Sequence, residues 1–173
     1  MGQIISFPTQ PTPYPDQMED LGTADGVLLL AIRWWVEDYR ANADPIPRLQ
    51  TTLHNAGAHD AAFPIDSLMT AVARGARRTV DVHCPLCPNL SDDEKHLLHA
   101  ASLVQANNAP LAEKALQTAL LSADGAGFAV ESLEDLTELF TKARLFFSRR
   151  VPPAPLPDAN DTREAWSPPA ALH

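Results

Sequence analysis

Two cysteines and two histidines lie close together in the middle of the chain. Cys84 and Cys87 form a C-x-x-C pair, and His96 and His99 form an H-x-x-H pair that follows after eight intervening residues. Structural zinc sites use four such sulfur and nitrogen ligands, usually as two close pairs. We therefore predict one structural Zn²⁺ that is held by all four side chains. Four protein ligands leave no position for water, so this zinc would stabilise the fold and would not catalyse a reaction.

The residues between the two pairs predict the helix that carries the histidines. Ser91 and Glu94 have the spacing of a capping box, so a helix should begin near Asp92. Residues three apart on a helix project from the same face, about one turn from each other. His96 and His99 are therefore expected to present both imidazoles to the same metal ion.

The residues before the cysteine pair predict a short strand. Segment 78–83 is rich in β-branched residues and alternates in polarity, which is typical of a strand that leads into a turn. His83 ends this segment next to Cys84, so it is an alternative ligand that could replace one of the helical histidines. Strand, cysteine turn and helix would together surround the ion.

The cysteine pair by itself supports a second chemistry, reversible disulfide formation. A strand that runs into Cys-Pro-Leu-Cys is similar to the active-site segment of thioredoxin-like and glutaredoxin-like proteins. The resemblance covers only residues 84–87, and it implies a thiol-disulfide redox protein or redox sensor that uses Cys84 and Cys87. Those families also need a βαβ framework, whereas this chain offers one strand candidate among several helices.

Length and proline distribution predict one folded domain with extended ends. The chain has 173 residues and is 45% hydrophobic, which is enough for a single compact core. Most of its 16 prolines lie near the two ends. We predict a disordered Pro-rich arm over 1–18, a single helical domain over 19–150 that contains a zinc knuckle at 84–99, and a disordered Pro-rich tail over 151–173.

Hydrophobic periodicity predicts a mostly α fold of five or six helices, with the short strand and zinc knuckle inserted. Gly125 and Gly127 are expected to end one helix, and Ser132 to begin the last one. The adjacent Trp34 and Trp35 indicate a wide buried face on the first helix. The helices are expected at about 25–44, 47–54, 65–75, 92–105, 110–124 and 132–150.

The charge balance restricts the classes of partner. The formal net charge is -9, which disfavours nucleic acid and anionic membranes because positive charge supplies most of the attraction to both. Two arginine-rich clusters, at 74–78 and 142–150, are expected to be solvated or to pair with nearby carboxylates, although they keep open a DNA-associated regulator. No apolar run is long enough to span a membrane, and we expect no signal peptide, so a cytoplasmic location is the simplest expectation.

These observations favour a protein that acts by contact. The chain has no phosphate-binding loop, nucleophile elbow or H-E-x-x-H motif, so we expect no enzyme activity. We predict a zinc-stabilised helical protein that serves as a protein-binding or regulatory module, with the redox protein as the alternative. Trp166 follows three acidic residues in the tail, and it is expected either to dock on a protein partner or to fold back on the domain. The partner and the oligomeric state stay open.

Overall fold

The computed structural model describes residues 12–155, and helices make up most of this part of the chain. The mostly α prediction is confirmed. No helix in the described range is long and apolar enough to cross a membrane. The helices are α1 (Thr23–Arg40), α2 (Ile46–His54), α3 (Ala62–Gly75), α4 (Asp92–Gln105), α5 (Ala109–Ala119) and α6 (Ala123–Lys142), with short 3-10 turns at Met18–Asp20 and His59–Ala61.

The two ends of the described chain meet in a small parallel sheet. Strand β1 (Thr12–Pro13) pairs with strand β2 (Arg150–Val151). Parts of the predicted disordered arm and tail therefore take part in this sheet, while 1–11 and 156–173 lie outside the described residues. The buried apolar side chains of the described part form one continuous core cluster.

The strand predicted over 78–83 does not form. These residues form neither strand nor helix and have no neighbouring strand. Their backbone groups bind side chains in the first turn of α4 instead: Asp81 N–H donates to Asp93 Oδ2 at 2.7 Å, and His83 N–H donates to Glu94 Oε1 at 3.1 Å. The strand prediction was wrong here because the acceptors are carboxylates on a helix and not the backbone of a second strand.

The last helix begins nine residues before the predicted start at Ser132, since α6 starts at Ala123. Ser122 caps it by accepting a hydrogen bond from Gly125 N–H at 3.2 Å. Gly125 is needed for helix packing and does not end a helix, because a Cβ added to Gly75 of α3 would lie only 2.6 Å from the Gly125 Cα. The two glycines let the end of α3 touch the start of α6.

The two tryptophans of α1 have different surroundings. Trp35 is buried, and its Nε1–H donates to Asp66 Oδ1 of α3 at 2.7 Å. Trp34 is half-buried, and the Arg48 guanidinium lies 4.6 Å from its ring centroid. A cation over an aromatic face is a favourable contact. The arginine therefore covers the part of α1 that the core leaves exposed.

A buried carboxylate connects the start of α1 to the chain before β2. Asp25 has no exposed surface, and its Oδ2 accepts a hydrogen bond from Ser148 N–H at 3.1 Å. Its Oδ1, like the buried hydroxyl of Tyr14, has no hydrogen-bond partner among the described residues. Burial raises the pKa of Asp25 above its ordinary value, although the Ser148 hydrogen bonds and the charge of Arg150 oppose this. The ionised form of Asp25 is thus poorly compensated.

Replacement Asp25→Asn is expected to stabilise the protein at neutral pH, on the order of 1 kcal/mol, because it removes a poorly compensated buried charge and keeps the acceptor for Ser148. As the pH falls from about 7 to about 4, the folded wild type binds a proton at Asp25 before the unfolded chain does, so its stability rises relative to the variant. Urea unfolding across this range should show the difference shrinking. A constant difference would contradict the raised pKa.

Candidate functional site

The cysteine pair lies in a hydrogen-bonded turn between segment 78–83 and α4. Cys87 N–H donates to Cys84 O at 3.0 Å, with Pro85 and Leu86 as the central residues of the turn. Proline is favoured at the first of these positions because its φ is already suited to the turn. The Cα atoms that flank such a turn are less than about 7 Å apart. This separation overlaps the range of about 4.4–6.8 Å that a disulfide requires.

Both thiols of the turn are free, and they differ in access. Cys84 is exposed and Cys87 is half-buried. Cys87 Sγ lies 3.7 Å from Nδ1 of His83, and this same Nδ1 is 2.8 Å from Asn89 O. Since a carbonyl oxygen can only accept, His83 donates to Asn89 from Nδ1 in this arrangement. Leu86 is 90% exposed at the tip of the turn.

A fully buried ion pair lies beneath the turn. The Arg33 side chain of α1 and the Glu94 side chain of α4 have no exposed surface. Arg33 Nε donates to Glu94 Oε1 at 2.8 Å, and Arg33 Nη2 donates to Oε2 at 2.9 Å. This two-point contact matches the planar guanidinium to the carboxylate. It also connects two helices whose residues are far apart in the sequence.

The remaining donors of Arg33 bind the backbone of the turn. Its Nη1 donates to Cys87 O at 2.6 Å, and its Nη2 donates to Asn89 O at 2.7 Å. Both are hydrogen bonds from a charged donor, which are stronger than neutral ones. The position of Cys87 is therefore set by a side chain that lies 54 residues earlier in the chain.

Glu94 also binds the chain on both sides of the turn. It accepts from Ser91 N–H at 2.9 Å and from His83 N–H at 3.1 Å, and Glu94 N–H donates to Ser91 Oγ at 3.1 Å. The predicted capping box is confirmed, and α4 begins at Asp92 as expected. One carboxylate thus joins the helix cap, the segment before the cysteines and Arg33.

The N-terminal segment covers the other side of the turn. Met18 N–H donates to Pro88 O at 2.7 Å, and Leu90 N–H donates to Asp16 O at 2.9 Å. The Asn89 side chain accepts from Gln17 Nε2 at 2.7 Å. Residues 87–90 are therefore bound on one side by Arg33 and on the other by 16–18, which leaves the turn little freedom to move.

The predicted histidine ligands lie on α4, and each has its own surroundings. His96 is buried, and burial lowers its pKa, while the neighbouring Asp93 carboxylate acts in the opposite direction. Burial also lowers the pKa of His99, opposed by a hydrogen bond with the backbone of Arg150 in β2. His99 Nδ1 is buried without a hydrogen-bond partner among the described residues.

The described structure does not bring the four predicted zinc ligands together. Within residues 12–155, no three His, Cys, Asp or Glu side chains are grouped so that they could hold a metal ion. Of the candidate ligands, His83, the alternative one, has a contact with a cysteine sulfur: its Nδ1 lies 3.7 Å from Cys87 Sγ. Zinc binding by Cys84, Cys87, His96 and His99 stays a prediction, and it would require these side chains or the turn to move.

Sequence reasoning missed the central residue of this region, Arg33. A signal was present, because the arginine lies within a run of apolar residues on α1 where an exposed charge would be out of place. A charged side chain in a buried position needs a partner of opposite charge. Glu94 already had an assigned role in the capping box, so the sequence offered no reason to connect the two.

Replacement Glu94→Gln should destabilise the protein by about 3–5 kcal/mol, because it keeps the capping geometry but leaves the Arg33 charge buried without a counter-ion. Removing both charges with Arg33→Met and Glu94→Met together should cost less than either single change. Urea unfolding measures both effects. The matched control is Glu138→Gln, which breaks the exposed pair with Lys142 and should cost less than about 1 kcal/mol. Equal losses at the two sites would contradict the importance of the buried pair.

Chelation of metal ions should leave the helical content and the melting temperature of the reduced protein unchanged. The start of α4 is capped by Ser91 and Glu94, and we expect these hydrogen bonds to hold the helix when no metal is bound. Circular dichroism with and without a chelator measures this. One zinc per chain, lost together with stability upon chelation or upon replacement of His96, would instead support the four-ligand site.

Comparison of the chain with family models, curated proteins and solved structures finds no match. The chemistry of the region therefore has to be inferred from its own geometry. That geometry consists of two free thiols in a constrained turn, one imidazole near Cys87, and a buried ion pair that holds the turn in place.

Proposed function

We propose that this chain is a thiol-disulfide redox sensor that acts by contact, with Cys84 and Cys87 as its reversible dithiol. The observation that carries the proposal is the hydrogen bond from Cys87 N–H to Cys84 O, which closes a turn between two free thiols. A turn of this size already satisfies the spacing that a disulfide needs, so oxidation requires little backbone movement.

The preference for a zinc-stabilised module rested on one ion held jointly by both ligand pairs. Without a grouped set of ligands in residues 12–155, the cysteine pair is the strongest chemical feature that remains. The expected reaction is thiol-disulfide exchange with a small-molecule or protein disulfide. The chain need not be an enzyme for this, since a sensor is itself the molecule that is oxidised and reduced.

The exchange takes place in two steps. The thiolate of the exposed Cys84 attacks one sulfur of the external disulfide, whose S–S bond breaks and whose other sulfur leaves as a thiolate and takes up a proton. The Cys87 thiolate then attacks the mixed disulfide, forms the Cys84–Cys87 bond and releases the second external thiolate. The two cysteines lose two electrons, and the external disulfide gains them as it becomes two thiols.

His83 is suited to assist the second step. Its Nδ1, which carries the proton donated to Asn89 O, lies 3.7 Å from Cys87 Sγ, and an N–H group beside a sulfur stabilises the thiolate form. The helix start contributes less, because four residues separate Cys87 from Asp92 at the first turn of α4. The turn therefore differs from thioredoxin-like sites, in which the cysteine pair lies at the helix N-terminus.

The same turn also carries the surface that a protein partner would contact in order to detect oxidation. Leu86 lies between the two cysteines and is 90% exposed. A large apolar side chain on a constrained turn is suited to contact with a protein partner, because little conformational entropy is lost upon binding. Closing the disulfide would replace the two thiols on either side of Leu86 with one S–S bond, which changes the chemistry of the contact surface while the backbone of the turn stays in place. The proposal therefore keeps the binding or regulatory role predicted from the sequence. The oxidation state of the two thiols would control that role.

The proposal is tested by equilibrating the full chain in mixtures of reduced and oxidised glutathione, followed by alkylation and mass measurement. We expect a species that has lost two hydrogen atoms and resists alkylation, and that returns to the dithiol form upon reduction. The variants Cys84→Ser and Cys87→Ser are the controls, and each should form only a mixed disulfide. His83→Gln should slow closure of the disulfide several-fold without changing the fold.

Two outcomes would contradict the redox proposal. One is that both cysteines stay reduced, and so still react with the alkylating reagent, in mixtures that contain mostly oxidised glutathione. The other is that native mass measurement finds one zinc that protects both thiols until a chelator is added, which would favour the zinc-stabilised binding module instead.

A further inference from the structure

A small apolar groove lies between α1 and α3. This α1–α3 groove is lined by Trp35 and Tyr39 of α1, by Val72 of α3 and by Val80 of segment 78–83. The rings of Trp35 and Tyr39 are stacked, with centroids 4.8 Å apart and planes 12° from parallel. The cavity has a volume of about 290 Å³.

The groove leaves part of an aromatic surface in water. Trp35 is buried, whereas Tyr39, stacked upon it, is 58% exposed. Small-molecule pockets usually measure about 300–1,000 Å³. A groove at the lower end of this range has room for one bulky side chain, and an aromatic ring that packs against the stacked pair would gain both burial and ring contacts.

The charge around the groove specifies the occupant further. Arg40 in the last turn of α1 and Arg78 of segment 78–83 both line it. Arg78 is already paired with Asp93, whereas no ion pair of Arg40 is found within residues 12–155. The Arg40 charge beside an apolar cavity favours a segment that combines one large aromatic residue with carboxylates.

The chain carries such a segment in its own C-terminal tail. Trp166 is preceded by Asp158, Asp161 and Glu164, with Arg163 as the one basic residue among them. The described chain ends at Pro155, eleven positions before this tryptophan. A proline-containing stretch of that length extends to about 35 Å, which is comparable with the diameter of a domain of this size.

We propose that the C-terminal tail of this chain docks in the α1–α3 groove, with Trp166 against the Trp35–Tyr39 stack. The acidic residues of 158–164 lie near Arg40 when the tail is bound. Because the tail is attached to the domain, its effective concentration at the groove is on the order of millimolar, so even a weak contact keeps it bound.

The docked tail also has a regulatory consequence. The segment that lines the groove at Val80 and Val82 continues directly into His83 and Cys84. A tail in the groove therefore covers the chain immediately before the cysteine turn. Docking does not depend on the redox chemistry, and either can fail without the other.

Hydrogen–deuterium exchange of the full chain tests the docking. In the wild type, the backbone amides of residues 72–82 should exchange at least several-fold more slowly than in Trp166→Ala. Tyr39→Ser, an exposed change on the groove side, should give the same loss of protection, and raised salt should weaken it because the contact is partly electrostatic. The matched control is Leu172→Ala, which changes an apolar residue of the same tail and should leave the exchange unchanged.

The design separates three occupants of the groove. Protection that is independent of chain concentration and is lost in Trp166→Ala supports docking within one chain. Protection that rises with concentration together with dimer formation would overturn it in favour of the tail of a second copy. Equal exchange in the wild type and in Trp166→Ala would overturn it outright and leave the groove to a different partner.

Discussion

The buried pair of Arg33 and Glu94 is the interaction on which the cysteine region depends. It joins α1 to α4, and its remaining hydrogen bonds position the chain on both sides of the turn. Burying two charges is costly, and an apolar pair of similar size would often be as stable. We infer that this pair contributes geometry more than stability, because its donors and acceptors match the backbone groups of one particular loop.

Because of this ion pair, the backbone of the turn is held in place while some of its side chains remain exposed to solvent. Residues 87–90 are bound from two directions, yet Cys84 and Leu86 remain exposed. A loop that holds its shape while it presents reactive and apolar side chains loses little entropy upon binding or upon disulfide closure. One short segment can therefore combine redox chemistry with partner contact. The Arg33–Glu94 pair would hold the turn in place for both.

Several features of the fold followed from local sequence patterns. The helix of the predicted histidine pair begins and ends as the capping box and the apolar repeat indicated, because both act within a few residues. The strand over 78–83 and the start of the last helix were wrong for a common reason. Asp93 and Glu94 supply the acceptors that a second strand would have supplied, and Gly125 meets Gly75 of another helix instead of ending its own.

By itself the sequence determined a helical chain, a Cys-x-x-Cys turn and a capped helix after it, since each depends on neighbours a few positions apart. Only the tertiary structure decided what surrounds the candidate ligands. Helical spacing places His96 and His99 on one face but does not state which way that face points, and in the fold His99 contacts the backbone of Arg150. Likewise, the pairing of Arg33 with Glu94 spans 61 positions, a separation over which no local pattern operates.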